Sequence, residues 1–239
     1  MVQPRRRSCR SNGVWRGSGV TVNTPDPSGL RREYAPEAPL TESDLAPTWR
    51  AQFDRWLADA VAAALVEPNA MVLATADAQG RPSTRTVLLK EYDDAGFVFF
   101  TNYRSRKAAE LAVNPYVSLL FRWLPLHRQV VVTGCARPLP PARNAAYFAT
   151  RPRGSQLGAW ASPQSSALPD RAALEEAYRA AAARYAGAEV PCPPHWGGYV
   201  VEPDAVEFWQ GQPDRLHDRL RFTRTAPGAG AFAVARLAP

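Results

Sequence analysis

Lysine is almost missing from this sequence. Of 29 basic residues, two are lysine, Lys90 and Lys107, and the rest are arginine. A compact ammonium and a planar guanidinium are not interchangeable at a tight anion site. The two lysines therefore mark positions to watch, with chance as the competing explanation. Cysteine is scarce too: Cys9, Cys135 and Cys192 form an odd, scattered set. That excludes a disulfide framework and a CxxC metal knuckle. The three histidines, His127, His195 and His217, make no HExxH. There is no GxSxG, no Walker loop and no GxGxxG. A zinc hydrolase, a serine hydrolase, a P-loop NTPase and a Rossmann dehydrogenase are thereby set aside. No apolar run approaches the ~20 residues a membrane span needs, so no membrane partner is expected. The arginine-rich N-terminus lacks the apolar stretch of a secretory signal, and a cytoplasmic location is expected.

What is present is a globular composition, 46% hydrophobic and 21% charged, over 239 residues. That length suits one large domain or two small ones. The net charge of +7 is unevenly spread. Arg5, Arg6, Arg7, Arg10 and Arg16 lie in the first twenty residues, which hold no acid. Residues 1–28, rich in Arg, Ser, Gly and Pro, read as a disordered tail, and residues 29–239 as the folded domain. A basic tail alone is weak evidence for nucleic acid, and no nucleic-acid partner is expected.

Thr48 can cap a helix whose apolar stripe runs Trp49, Phe53, Trp56, Leu57, Ala60, Val61, Ala64 and Leu65, stopped by Pro68. Hairpin signals follow. Strands are expected at Ala70–Ala76, Ser83–Tyr92, Phe97–Asn102, Tyr116–Trp123 and Gln129–Arg137. A short helix is expected near Ser105–Val113. The second half predicts a helix at Pro141–Thr150, a loop over residues 153–169 and a helix at Arg171–Ala186. Short strands close the chain at Gly198–Val201, Ala205–Gln210, Leu220–Thr225 and Phe232–Leu237. The fold class is mainly β with α: an antiparallel sheet closed into a barrel, helices outside.

Five clusters carry anion-binding or ring-binding chemistry. Arg85-Thr86-Val87-Leu88-Leu89-Lys90 places two cations on opposite faces of a strand, unless a bulge intervenes. Thr101-Asn102 with Ser105-Arg106-Lys107 sits at a helix start, where free N–H groups favour an anion. Tyr147, Arg151, Arg153, Ser155 and Gln156 suit a phosphate monoester through charge-assisted bonds. Gln164-Ser165-Ser166 is a polar loop. Trp209-Gln210-Gly211 with Arg215-Leu216-His217-Asp218-Arg219 offers a wall for a planar ring. Each segment also reads as an ordinary capped helix, hairpin or surface loop. Together they suit a phosphorylated, planar ligand, and residue chemistry alone does not name the reaction.

The ordered set of segments resembles the pyridoxamine/pyridoxine 5′-phosphate oxidase family. The carriers are LRREY (Leu30–Tyr34), RTVLLK (Arg85–Lys90), FFTN (Phe99–Asn102), SRKA (Ser105–Ala108), RQVVV (Arg128–Val132), YFATRPRGSQLGAW (Tyr147–Trp160), QSS (Gln164–Ser166), WGGY (Trp196–Tyr199), FWQGQPDRLHDR (Phe208–Arg219) and RLAP (Arg236–Pro239). The resemblance implies an FMN-binding split β-barrel homodimer with FMN at the subunit interface. It implies oxidation of pyridoxamine or pyridoxine 5′-phosphate by dioxygen to pyridoxal 5′-phosphate, with release of hydrogen peroxide. Implied FMN contacts are Arg85, Thr86, Val87, Leu88, Leu89, Lys90, Phe100, Thr101, Arg106, Lys107, Gln129, Gln164, Ser165, Trp209 and Arg219. Implied substrate contacts are Lys90, Tyr147, Arg151, Ser155, Arg215, Leu216 and His217, with Arg31, Arg32, Glu33 and Tyr34 closing over the site. Arg215 and His217 are expected near the reacting carbon, and no metal is expected. Another split-barrel flavin oxidoreductase and a non-catalytic carrier of pyridoxal phosphate or flavin are the alternatives.

Overall fold

The computed structural model describes residues 27–30, 33–34, 38–226 and 228–239. Two compact units divide the chain, Met1–Glu33 and Tyr34–Pro239. Of the first, the described part is a 3-10 turn at Pro27–Leu30 and the exposed Glu33. The expected tail falls almost wholly outside the described residues, as do Arg31 and Arg32.

The second unit is one curled antiparallel sheet carrying five helices. Its strands are β1 (Ala70–Ala76), β2 (Pro82–Leu88), β3 (Glu91–Asp93), β4 (Gly96–Asn102), β5 (Tyr116–Trp123), β6 (Arg128–Pro138), β7 (Trp196–Gln210), β8 (Asp218–Arg224) and β9 (Phe232–Arg236). The helices are α1 (Trp49–Ala62), α2 (Arg106–Val113), α3 (Pro141–Ala149), α4 (Arg153–Ala161) and α5 (Arg171–Arg184). The strand order is β2-β1-β5-β6-β7-β4-β3, with β8 joined to β7 and β9 joined to β8. This is the split-barrel class expected from the sequence.

Three expectations are corrected. Ser83–Tyr92 is not one strand: β2 pairs with β1, and β3 pairs with β4. The change happens at Leu89-Lys90, where the Leu89 N–H donates to Asn69 O at 2.9 Å and the Lys90 N–H donates to Val98 O at 2.9 Å. Arg85 and Lys90 are thus separated by a change of neighbour and not by strand alternation. Next, the two short strands before and after Pro203 are one strand, β7. Pro203 has no N–H to give a ladder, and it sits opposite the register shift between Thr133 and Gly134, where such a residue is tolerated. Finally, residues 153–161 form α4. Pro152 ends one helical stretch and sits at the N-cap of the next, a position where a missing N–H costs nothing.

The core lies between α1 and the concave face of the sheet. Thr48 caps α1 by accepting from the Ala51 N–H at 3.1 Å. Trp49, Phe53, Trp56 and Ala60 are buried as predicted, while Val61 is 60% exposed, so the stripe is narrower than expected. Phe53 is fully buried, with ring centroids 4.9 Å from Tyr92, 5.1 Å from Phe97 and 5.0 Å from Phe121. A second apolar cluster joins Phe148, Leu157, Ala161, Ala181, Tyr185, Val190 and Trp196. It braces α3, α4 and α5 against the start of β7.

Replacing Phe53 with alanine should cost about 3–5 kcal/mol, the usual price of an emptied aromatic site. Urea unfolding followed by tryptophan fluorescence measures this. A loss under about 1 kcal/mol would show that α1 is not packed on the sheet as described.

Candidate functional site

A cavity of about 480 Å³ opens where β2, β4, α2, α3 and α4 converge. β2 contributes Thr86, Val87 and Leu88, β4 contributes Phe100, Thr101 and Asn102, and the stretch from α3 into α4 contributes Tyr147, Thr150, Arg151, Pro152 and Ser155. Lys90, Lys107, Gln164 and Trp196 line it as well. Both of the chain's lysines therefore line one cavity. Four of the five clusters come together here, although they are scattered over some 80 residues of sequence.

Local structure explains the convergence. Tyr147, Phe100 and Trp196 form a cluster of near-parallel rings, with centroids 4.0 Å apart for Tyr147–Phe100, 5.2 Å for Phe100–Trp196 and 6.2 Å for Tyr147–Trp196. The strand beside them leaves no room for a side chain at Gly198. A Cβ at Gly198 would lie 2.7 Å from Leu139 and 2.9 Å from Phe100, closer than real atoms come. Beyond the stack, the Arg151 guanidinium lies 4.7 Å from the Trp196 ring centroid and 5.5 Å from that of Phe148. Its Nη1 is buried with no hydrogen-bond partner. An unmet buried donor costs about 1–3 kcal/mol, so this one is an opening for an acceptor such as a phosphate oxygen. Burial lowers the Arg151 pKa, in keeping with a cation lacking a counter-charge.

Lys107, at the start of α2, donates to Gln164 Oε1 at 2.7 Å and to Thr101 Oγ1 at 3.1 Å. Burial, with Arg85 nearby, brings its pKa down to about 8. Arg85 itself does not line the cavity. Its Nη1 donates to Thr75 Oγ1 at 2.6 Å and Leu73 O at 3.1 Å, and its Nη2 to Ser83 Oγ and, at 3.2 Å, to Glu110 Oε2. Glu110 was not singled out from the sequence. It is 5% exposed and also accepts from Thr75, from Ser83 at 2.7 Å and, at 2.8 Å, from Arg106 Nε. Desolvation pushes its carboxyl up, but bonds from Ser83, Thr75 and Arg106 outweigh it and hold the pKa at about 2. The available sequence signal was the Arg106–Glu110 spacing of one helical turn. Leu89 is buried in the core, and Ser165 is an exposed residue with φ 73° beside Gln164. Arg153 and Gln156 serve structure: Arg153 donates to Ala188 O and Tyr185 O, and Gln156 to Phe148 O.

The fifth cluster is elsewhere. Gln129, Trp209 and Arg219 form a single row across β6, β7 and β8, on the half-exposed face of the sheet. Trp196 and Trp209 stand at opposite ends of β7, roughly 40 Å of strand at about 3.3 Å per residue. Arg219 is held by Glu207 at 2.8 and 3.1 Å and donates to Ala238 O at 2.8 Å. Tyr34 packs edge-on to His217 and Trp209, at 5.5 and 5.8 Å. The Gln212 N–H donates to His217 Nδ1 at 3.1 Å, which places the proton of the neutral ring on Nε2. Burial, then Arg215, lowers the His217 pKa and favours that neutral form. Arg215 and its neighbour Asp214 both have left-handed backbones, φ 64° and 55°. Leu216 beside them is 71% exposed. No residue of this set lines the cavity within the same chain.

Lys107 makes a pH prediction with a definite sign. Its folded pKa of about 8 lies below the 10.5 of an ordinary lysine, so between these values the unfolded chain holds the extra proton. The ligand-free protein should gain about 1–3 kcal/mol of stability from this residue as pH rises through that window. Urea titrations at a series of pH values test it, and Lys107→Met should flatten the rise. An unchanged slope in the variant would contradict the buried, charged lysine.

Comparisons with known proteins identify the family. Residues 57–185 match the family described as pyridoxamine 5′-phosphate oxidase. Residues 196–239 match the pyridoxine 5′-phosphate oxidase C-terminal dimerisation region. A pyridoxine/pyridoxamine 5′-phosphate oxidase of Salinispora arenicola is 62% identical over 221 residues, 92% of this chain and 99% of that one. Its counterpart in Streptomyces avermitilis is 57% identical over 219 residues, 90% and 96% of the two chains. Among solved structures, PhzG from Burkholderia lata, in complex with tetrahydrophenazine-1-carboxylic acid, superposes with a TM-score of 0.77. It is 35% identical, over 82% of this chain and 95% of that one. A pyridoxamine 5′-phosphate oxidase-related FMN-binding protein from Nostoc punctiforme shares the fold, with a TM-score of 0.63 at 20% identity. The chain belongs to the pyridoxamine/pyridoxine 5′-phosphate oxidase family.

Proposed function

We propose that this chain is an FMN-dependent oxidase converting pyridoxamine and pyridoxine 5′-phosphates, with dioxygen, to pyridoxal 5′-phosphate and hydrogen peroxide, the amine substrate also consuming water and releasing ammonia. The observation carrying this reading is the buried, unpartnered Arg151 Nη1 in a cavity that also presents Lys90, Tyr147 and Ser155. That donor set suits a phosphate monoester, and the flat aromatic stack beside it suits a planar ring. A non-phosphorylated substrate would leave Arg151 unmet.

The residues fit FMN. Lys107, Thr101 and Gln164, with Arg85 and Arg106 behind them, are suited to its phosphate, and Thr86–Leu88 to its ring edge. The chemistry FMN supplies when bound is acceptance of a hydride equivalent from the substrate's C4′ carbon and its discharge to dioxygen. The chain's own part is to bind and orient. Arg151, Tyr147, Ser155 and Lys90 anchor the substrate phosphate. His217 offers an Nε2–H donor and Arg215 a cation to the ring and the reacting carbon. Fixing the reactants in this way removes most of the entropic cost of their meeting.

The separation of the two residue sets favours a homodimer. In a two-fold dimer the Gln129–Trp209–Arg219 face and the Arg215–His217 hairpin of one protomer can complete the cavity of its partner. The C-terminal dimerisation match supports this assembly.

Purified protein supplied with FMN, pyridoxamine 5′-phosphate and oxygen should form pyridoxal 5′-phosphate and peroxide together. Flavin binding without either product would overturn the reading, and turnover of a reduced phenazine carboxylate in its place would point to PhzG-like chemistry. Arg151→Leu should raise KM for the phosphorylated substrate about 10–100-fold, the worth of a charge-assisted bond. Arg215→Leu should lower kcat while FMN affinity holds, and equal loss of both would assign that residue a structural role. Assayed at low substrate, where both variants are impaired, an equal mixture of the two should recover activity towards about a quarter of wild type, since a mixed dimer has one intact site. No recovery on mixing, with exchange of subunits demonstrated, would place both sets in one protomer.

A further inference from the structure

We propose that Glu110 is a positioning residue for the cofactor's phosphate: it fixes Arg85 and Arg106 and balances the charge of the cations gathered there. The inference rests on the assignment of the FMN phosphate to the Lys107 end of the cavity.

A carboxylate beside an anion site looks counterproductive, since like charges repel. The geometry gives it a different part. Glu110 Oε2 accepts from Thr75 on β1 and from Ser83 and Arg85 on β2, while Oε1 accepts from Arg106 on its own helix. It therefore ties the first turn of α2 to the β1–β2 hairpin. Lys107 lies in that same turn. Four of the five N–H groups of Arg85 already donate to protein oxygens, so this guanidinium is held rigidly. Arg106 is exposed along much of its length, with a side chain 63% accessible, and its bond to Glu110 is what restrains it.

Charge counting points the same way. Arg85, Arg106 and Lys107 bring three positive charges, and Glu110 removes one. The remaining two match the −1.5 to −2 that a phosphate monoester carries near pH 7, a value of about that size for any such group. Without Glu110 the three cations would repel one another in a partly buried space before any ligand arrived. Preorganisation then outweighs the direct repulsion between the carboxylate and the phosphate.

The two effects predict opposite signs, and this makes the test sharp. Flavin is removed from the full-length protein, and FMN and riboflavin are titrated by fluorescence quenching. Riboflavin lacks the phosphate and reports on the ring contacts alone. Wild type should prefer FMN strongly, and absence of that preference would overturn the phosphate assignment itself. In Glu110→Gln, FMN affinity should fall about tenfold or more, while riboflavin affinity changes less than about twofold. Unchanged or tighter FMN binding would show that Glu110 acts only as a repelling charge. Equal weakening of both flavins would show a general structural role. Ser83→Ala keeps every charge and removes one bond to the carboxylate together with one that Arg85 Nη2 gives to the same hydroxyl, so it loosens the Glu110–Arg85 network as a unit. It should weaken FMN by about threefold with riboflavin unaffected, and it decides the matter if Glu110→Gln does not fold. Equal FMN affinity in Ser83→Ala and wild type would then overturn the proposal.

Discussion

A strand of fifteen residues cannot keep the same neighbours along its whole length when the sheet around it curls. β7 solves this by changing partner: β4 pairs with its first part, β8 with its last, and β6 spans most of it from the other side. The cavity lies at the β4 end, and the Trp209 row lies at the β8 end. The irregularity at Thr133–Gly134, opposite Pro203, falls between them, where the partner changes. Trp196 and the Trp209 row belong to this strand, and β4 and α3, which carry Phe100, Thr101 and Tyr147, contact it directly.

Much of the arrangement was legible beforehand. Hairpin alternation identified β1, β4, β5 and β6, and Thr48 marked the start of α1. The two lysines, rare in the chain, lie together in the cavity. The failures have physical causes. Pro203 reads as a strand breaker because propensity counts its missing N–H, whereas in the folded sheet that N–H has no partner to lose. Pro152 reads as a stop because it ends α3, and only the three-dimensional trace shows that it also opens α4. Ser83–Tyr92 is continuously strand-forming, so composition could not reveal that the chain leaves one neighbour for another at Leu89-Lys90. Glu110 was invisible for a different reason. Its role depends on Thr75 and Ser83, which are remote in sequence and unremarkable until β1 and β2 pair.

Arginine occurs in two states in this molecule. Arg85, Arg219 and Arg236 have most of their N–H groups committed to carboxylates, hydroxyls and carbonyls, which fixes their guanidinium groups in place. Arg151 is the contrasting case, stacked on Trp196 with a buried donor unspent. Side-chain type alone does not tell a guanidinium already fixed by the fold from one with a buried donor still open, and satisfaction of hydrogen-bonding capacity does.

The hairpin at Asp214–Arg215 carries a tension of its own. Two successive residues with a Cβ hold left-handed backbones there, a conformation that costs on the order of 1–3 kcal/mol each. Glycine would remove that cost, and would also free the turn that presents Arg215 and His217. The same two side chains that strain the turn therefore also stiffen it, so stability and rigidity are set against each other at this one place in the fold.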